Sequence, residues 1–235
     1  MFFQTSWDDG CALDLRIAGL LERYGLSGTF YVCPREQHGA SLLEERDIRS
    51  LAERHAIGAH TLTHPRLTRI PLADAEREIR GSKAWVERVT GKPCTSFCYP
   101  YGDVNAEVRG LVERAGFAGA RTTEDFRFTS KDPFLQPVTL QVSPFPWRKR
   151  FHPPWKILDP LGPARHAWTR TRGFDLPLSA FTSWSALAMA LLYRAQPDEK
   201  LFFHLYGHSR EIERYGMWGA LETFLAHVGR SGKEG

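Results

Sequence analysis

Two adjacent carboxylates and a pair of histidines form the most informative chemical pattern in this chain of 235 residues. Asp8 and Asp9 end the first apolar run, and the motif His60-Thr61-Leu62-Thr63-His64 follows further along the chain. One carboxylate and two imidazoles can hold a divalent metal and leave a coordination position open for water, which is typical of catalytic sites. We therefore predict a metal-dependent hydrolase with Asp9, His60 and His64 as ligands. The four-residue spacing puts the two histidines on the same side of a helical turn, which Pro65 limits to a short one. Asp8 is then free to act as the general base.

Hydrolysis also needs an acid for the leaving group and a donor for the developing oxyanion. His208 follows the last apolar run and is the candidate acid. The turn Tyr99-Pro100-Tyr101-Gly102 could supply a backbone N–H to the oxyanion. Each motif alone has a simpler interpretation, since Asp-Asp-Gly and Pro-Tyr-Gly are common turn sequences. His204 shares a strand face with Tyr206 and is expected to be an interior histidine rather than a catalyst.

The composition suits a folded protein, which we interpret as a single catalytic domain over residues 1–235. The chain is 42% hydrophobic, and its longest apolar stretches are too short to span a membrane. No signal peptide is visible at the start, so we predict a cytoplasmic location, which allows peripheral contact with a membrane. Four cysteines are too few for a disulfide scaffold. The Cys94 and Cys98 pair lacks the second pair that structural zinc sites usually need.

Positive charge is concentrated in the segment from Trp147 to Arg172. Seven basic residues face a single acid there, which gives the segment a charge of +6 and leaves −2 for the rest of the chain. The whole protein is therefore not a polycation, which disfavours nucleic acid as a partner. We interpret residues 144–182 as a basic, aromatic, proline-containing and irregular insertion.

Strand-like and helix-like stretches alternate along the chain, which predicts parallel strands covered by helices. The predicted strands are 2–7, 28–33, 57–59, 96–99, 117–122, 135–142 and 201–206. The predicted helices are 14–24, 42–55, 72–89, 106–115, 184–194 (with Ser183 as its cap) and 218–228. About seven such units indicate an α/β fold of the distorted (β/α)7 barrel type. Catalytic groups in such folds follow the strands, as do Asp8, Asp9, His60, Tyr101 and His208.

Four motifs in this order resemble the polysaccharide deacetylase (NodB-homology) family, also called carbohydrate esterase family four. They are Ser6-Trp7-Asp8-Asp9-Gly10, Gly28-Thr29-Phe30, His60-Thr61-Leu62-Thr63-His64-Pro65 and Tyr99-Pro100-Tyr101-Gly102. The resemblance covers residues 1 to about 125 and resumes at Leu201 to Glu211. It implies a NodB-type distorted barrel and a metal-dependent N- or O-deacetylase. The implied roles are base for Asp8, metal ligation for Asp9, His60 and His64, oxyanion contact for the Tyr101 backbone and acid for His208.

One position departs from the family pattern. Many members carry an arginine two residues before the proline of the Tyr-Pro-Tyr-Gly turn, where it orients the base, and this chain has Cys98 there. Arg121 ends the next predicted strand. We hypothesise that Arg121 reaches in and takes that role.

Trp147, Arg148 and Trp155 in the insertion are candidate substrate-binding residues. Tryptophan stacks on sugar rings, and arginine pairs with phosphate or carboxylate, so the insertion could be a lid or platform for an anionic substrate. The alternative is a solvated loop. Loss of Arg148, Lys149 and Arg150 is expected to raise KM more than it lowers kcat. Steady-state kinetics with the true substrate check this, and an unchanged KM contradicts it.

Three functions remain open from the sequence. The first is removal of an acetyl group from a sugar, glycan or lipid-linked sugar precursor. The second is hydrolysis of a C–N bond in a small cyclic amide or ureide, and the third is an inactive glycan-binding module. The third predicts loss of Asp8 or a ligand, and none is lost. Zinc suits the ligand set, although cobalt, nickel or manganese could occupy it.

Overall fold

The computed structural model describes residues 1–35, 41–148 and 159–231. Within these ranges seven parallel strands form one sheet, in the order β5-β4-β3-β2-β1-β7-β6. The strands are β1 Phe2–Trp7, β2 Thr29–Val32, β3 Ala56–Ala59, β4 Ser96–Cys98, β5 Gly119–Arg121, β6 Leu140–Gln141 and β7 Phe202–Gly207. The α-helices are α1 Asp14–Arg23, α2 Glu45–Leu51, α3 Leu72–Thr90, α4 Ala106–Arg114, α5 Gly162–Thr171, α6 Trp184–Ala195, α7 Ser209–Tyr215 and α8 Trp218–Ser231.

The sheet curls into a half-barrel whose two edge strands, β5 and β6, are joined by an irregular segment. Ala120 of β5 donates from its backbone N–H to Pro133 (2.8 Å) and accepts from the N–H of Gln136 (2.9 Å). A few residues later the N–H of Thr139 donates to His204 of β7 (2.9 Å). The segment therefore meets β5 only at an isolated bridge between Arg121 and Gln136, and no continuous pair of strands joins the two edges of the sheet. The predicted distorted barrel is confirmed.

The predicted strand over residues 135–142 was wrong in its extent. Only Leu140–Gln141 forms strand β6. Pro137 has no N–H to contribute to a ladder, and the segment changes its hydrogen-bond partner from β5 to β7 along its length. Its first part meets β5 at one bridge, and only its last part pairs regularly with β7, so no one strand pairs along the whole predicted range.

Helix α2 is shorter than the predicted helix over residues 42–55. The N–H of Leu43 bonds to the carbonyl of Gly10 (2.8 Å), which holds the preceding chain outside the helix. Glu44 and Asp47 then form a reciprocal capping box that starts the helix at Glu45. Ser183 caps α6 as predicted, because its side chain accepts from the N–H of Ala186 (3.1 Å).

The described part of the insertion is not wholly irregular, because it contains helix α5. Thr169 and Thr171 are weak helix formers, so the helical propensity of this segment is low. Pro163 lies in the first turn of α5, where proline is well tolerated.

Large apolar side chains from four strands fill the interior. Trp7, Phe30, Phe97 and Phe203 are completely buried. Burying a side chain of this size contributes about 1.5–3 kcal/mol. The strands that carry the site residues are therefore fixed by the best-packed part of the molecule.

Candidate active site

The register of the parallel strands brings their carboxyl ends to one level. Trp7, the last residue of β1, pairs with Phe30 of β2 and with Gly207 of β7. The N–H of Asp8 continues this ladder to the carbonyl of Gly207 (3.1 Å). Residues that follow different strands therefore meet at one rim. A cavity of about 330 Å³ opens there, and it is lined by Asp8, Asp9, His60, His64, Tyr101, Thr123, Tyr206, His208, Arg210 and Glu211.

Three predicted ligands converge at this cavity. Asp9 Oδ1 lies 3.5 Å from His60 Nε2 and 3.4 Å from His64 Nε2. The two imidazole nitrogens are 3.1 Å apart. Zinc with tetrahedral bonds of about 2.0–2.2 Å places its ligand atoms about 3.3 Å apart. The three atoms therefore have the spacing of three corners of such a site.

The protonation and bonding of these side chains also fit a cation. Asp9 Oδ1 is buried and has no hydrogen-bond partner in the described structure. The carbonyl of Cys98 accepts a hydrogen bond of 2.8 Å from His60 Nδ1, which leaves the lone pair of His60 on Nε2. Burial and the neighbouring His60 lower the pKa of His64 to about 4, so His64 is neutral at pH 7. Burial opposes protonation of His60, but the neighbouring Cys98 and Asp9 outweigh it and raise its pKa, so a metal at His60 Nε2 would take the place of a proton there. The neutral His64 and the unpartnered oxygen of Asp9 complete a donor set suited to a divalent metal.

The two histidines do not lie on a helical turn, as their spacing had suggested. They belong to an irregular loop in which Thr61 and His64 have positive φ values of 63° and 55°. Thr61 Oγ1 accepts a hydrogen bond from the N–H of His64 (2.9 Å). Pro65 follows directly and disfavours helical geometry at His64. A tight turn rather than a helix thus brings the imidazoles together.

Arg121 lies against Asp8, as hypothesised from the sequence. Its Nη2 contacts both carboxylate oxygens of Asp8 and lies 2.9 Å from Cys98 Sγ. Cys98 and Arg121 are partners in the β4–β5 register. The guanidinium therefore comes from the neighbouring strand, and the small thiol at position 98 leaves room for it. Arg121 is completely buried.

The charge of Asp8 is set by these neighbours. Burial opposes ionisation of the carboxyl group, but Arg121, followed by His60 and His208, outweighs it and lowers the pKa of Asp8 below its ordinary value. Asp8 is therefore ionised at neutral pH. The potential ligand atoms of Asp8, His60 and Cys98 also lie close enough together to hold a metal ion. The positively charged guanidinium of Arg121 contacts Asp8 and Cys98 there, which disfavours a cation at that position.

His208 faces the same carboxylates from the end of β7. Its Nε2 lies 4.0 Å from Asp8 Oδ2 and 4.0 Å from Asp9 Oδ2. The next residue, Ser209, begins α7 and donates to the buried Asp14 (2.5 Å), which anchors the segment that carries the imidazole. His208 is partly exposed at the cavity, where a leaving group could reach it.

Tyr101 lies at the cavity with a positive φ of 60°. Its ring packs edge-on against His64, with centroids 4.7 Å apart, and the Arg66 guanidinium lies 4.2 Å from the ring centroid. His204, in contrast, is buried and bonds to Ser6 Oγ (2.8 Å). The prediction of an interior role for His204 is confirmed.

Sequence reasoning missed part of the cavity wall, namely Thr123, Tyr206, Arg210 and Glu211. All four come shortly after a strand or at its end, which was the available signal. Two of the predicted substrate-binding residues, Trp147 and Arg148, do not line this cavity. Arg148 bonds to Asp159 and lines a separate cavity with residues of α5. Trp155 lies outside the described residues, as do Lys149 and Arg150.

The positive charge of the insertion is partly neutralised within the protein. Arg165 pairs with Asp159 (2.8 Å), and Arg170 pairs with Glu124 (3.3 Å). His166 contacts Asp125 (2.9 Å). An effect of Arg148 on KM is therefore expected only for a substrate long enough to extend from the cavity onto this surface. In the part of the chain that the structure describes, no helix is both long and apolar enough to cross a bilayer.

The sequence of this chain is similar to those of known peptidoglycan deacetylases. The peptidoglycan-N-acetylmuramic acid deacetylase PdaC of Bacillus subtilis is 33% identical over 140 residues, which are 58% of this chain and 29% of PdaC. The chain thus spans less than a third of the length of the curated peptidoglycan deacetylases it matches.

Several solved structures match over 98% of the chain. One is the Bc1960 peptidoglycan N-acetylglucosamine deacetylase, with a TM-score of 0.57 at 13% identity, of which 83% is covered. Another is BA3943 from Bacillus anthracis, a CE4 family pseudoenzyme, with a TM-score of 0.56 at 14% identity, of which 61% is covered. At these identities the matches show the shared fold alone.

The family follows from the sequence match. Residues 4–120, about half of the chain, match the sequence profile of the polysaccharide deacetylase family. This range contains Asp8, Asp9, His60, His64 and Tyr101. Its strands form the greater part of the curled parallel sheet. This chain therefore belongs to the polysaccharide deacetylase family.

Proposed function

We propose that this chain is a hydrolase that uses one divalent metal to release acetate from an acetylated sugar residue of a glycan or glycan precursor. The convergence of Asp9, His60 and His64 beside the Asp8–Arg121 ion pair carries this proposal. Family membership supports the acetylated glycan as the substrate class. Zinc suits two imidazoles and a carboxylate best, and cobalt, nickel and manganese are the alternatives.

Asp8 is the proposed general base. A divalent metal held by Asp9, His60 and His64 would polarise the acetyl carbonyl and make a water molecule more acidic. Asp8 lies next to these ligands and is ionised, so it can accept the proton of the water that attacks the carbonyl carbon. Arg121 fixes the orientation of the carboxylate and keeps it ionised.

His208 is the proposed general acid. Once the water oxygen has bonded to the carbonyl carbon, the bond to the sugar nitrogen or oxygen must break, and the leaving atom needs a proton. His208 is at the cavity and can donate it. The backbone N–H of Tyr101 is the proposed donor to the oxyanion. The products are acetate and a free sugar amine or hydroxyl.

Metal removal tests this proposal. Protein stripped with a chelator is expected to release no acetate from acetylated sugar oligomers, and activity should return as one equivalent of zinc, cobalt, nickel or manganese is added. Metal binding should also increase the free energy of unfolding by about 2.7 kcal/mol at a metal concentration 100 times Kd. The melting temperature should rise accordingly. Acetate assays and thermal unfolding measure the two effects. Full activity of the metal-free protein would contradict the proposal.

A panel of substrates distinguishes the proposed deacetylase from the two alternatives, a cyclic amide or ureide hydrolase and an inactive glycan-binding module. Cyclic amides and ureides should be included beside N- and O-acetylated sugars. Turnover of the cyclic substrates alone would move the protein to that class. A protein that binds one metal, turns over neither class and binds sugar oligomers directly would be a glycan-binding module.

A further inference from the structure

The loop between the two histidine ligands is attached to helix α3 through a single carboxylate. Glu78 Oε2 accepts hydrogen bonds from the N–H groups of Leu62 (2.7 Å) and Thr63 (2.8 Å). Glu78 Oε1 accepts from the hydroxyl of Thr63 (2.6 Å). One side chain therefore holds three donors of the loop.

The loop needs such an attachment because its backbone is strained. Thr61 and His64 have positive φ values of 63° and 55°. Positive φ is a genuine outlier for a β-branched residue such as threonine, and a strained conformation persists only when its surroundings hold it. Within the loop, Thr61 Oγ1 donates to the carbonyl of His60 (2.6 Å) and accepts from the N–H of His64 (2.9 Å). Glu78 adds the support from outside.

Helix α3 is also shaped to receive the loop. Gly81 lies three residues after Glu78, on the same face of the helix. A Cβ atom at position 81 would lie 2.6 Å from Leu62 Cδ1. The missing side chain thus lets Leu62 pack directly against α3 while Glu78 binds the backbone beside it.

We propose that Glu78 is a positioning residue that sets the separation of His60 and His64, and through it the affinity of the site for a divalent metal. This inference rests on the proposed function, because it requires that the histidines bind a metal. Glu78 acts through hydrogen bonds to the loop. Its length and its acceptor atoms are what matter, and its charge is secondary.

Three substitutions test the role of length against that of charge. Glu78→Ala removes the attachment, and Glu78→Asp keeps the charge but is one methylene too short to reach all three donors. Both are expected to weaken zinc binding by about 10–100-fold, as substitutions of residues that orient metal ligands do. Glu78→Gln loses the charge, but its amide oxygen can accept both N–H groups and its NH₂ can donate to Thr63. It should stay close to the wild type.

Glu76→Gln is the matched control, since Glu76 lies on the same helix and pairs at the surface with Arg80. Zinc affinity is measured by competition with a chelator, and the visible absorption spectrum of the cobalt-loaded protein reports the geometry around the metal. Wild-type affinity in Glu78→Asp, or a loss in Glu78→Gln as large as in Glu78→Asp, overturns the inference. If Glu78→Ala does not fold, the comparison of Glu78→Asp with Glu78→Gln still tests the inference. Absence of metal binding in the wild type would instead refute the proposed function.

Discussion

Asp8→Asn is expected to lower kcat by about 10²–10⁴-fold while the bound metal remains. Asparagine has nearly the same shape as aspartate but cannot accept a proton from water at neutral pH. The three converging ligand atoms belong to Asp9, His60 and His64, so metal content should not change. Acetate release under saturating substrate measures the first effect, and elemental analysis of the purified variant measures the second.

Asp132→Asn is the control for this substitution. Asp132 pairs with Arg109 at the surface (2.8 Å), and its loss should leave kcat unchanged. Asp8→Asn also leaves the buried Arg121 without a charged partner, which costs about 3–5 kcal/mol when such a pair is broken outright. Thermal unfolding must therefore show that the variant is folded at the assay temperature. A folded, metal-loaded Asp8→Asn protein with wild-type kcat would exclude Asp8 as the base.

Arg121→Ala is expected to lower kcat by about 10²-fold or more, because the base loses the group that orients it. It should also change the pH profile. Arg121 lowers the pKa of Asp8, so its removal raises that pKa. Activity that requires ionised Asp8 would then be lost at a higher pH as the solution is acidified. Full turnover with an unchanged pH profile would exclude this role for Arg121.

The register of β4 and β5 offers a reciprocal experiment. Cys98 and Arg121 are direct partners across the two strands, and Cys98 Sγ lies 3.6 Å from Asp8 Oδ2. The double variant Cys98→Arg/Arg121→Cys moves the guanidinium to the strand position that many family members use. We expect it to recover part of the kcat lost in Arg121→Ala. The single variant Cys98→Arg places two guanidinium groups in one buried space and should be destabilised.

Most residues of the candidate site could be located from local pattern because they follow a strand. Asp8, His60 and His208 come directly after apolar or β-branched runs, and parallel strands put such positions on one rim. The ligand set also follows from residue type, since carboxylate and imidazole are ordinary metal donors. Chemistry carried by residues at strand ends is readable from a sequence because strand periodicity and donor type are both local properties.

The helical turn expected at His60 to His64 was wrong because spacing alone does not distinguish a helix from a loop. The loop accepts its outside support from Glu78, which binds the N–H groups of Leu62 and Thr63, lies on a separate helix and is fourteen residues beyond His64 in the chain. The extent of β6 was likewise decided by partners on β5 and β7. Neither set of contacts can be predicted from the residues that flank it in the sequence.

The sequence by itself determined the family, the fold class and the identity of the groups that could bind metal and move protons, since these depend on residue types and their order. Only the tertiary structure decided how Asp8 is held. Arg121 reaches Asp8 because β5 lies beside β4 in a register that pairs positions 98 and 121. It also placed Trp147 and Arg148 away from the cavity. Separations between residues distant in the chain are set by packing and strand register, which no short stretch of sequence contains.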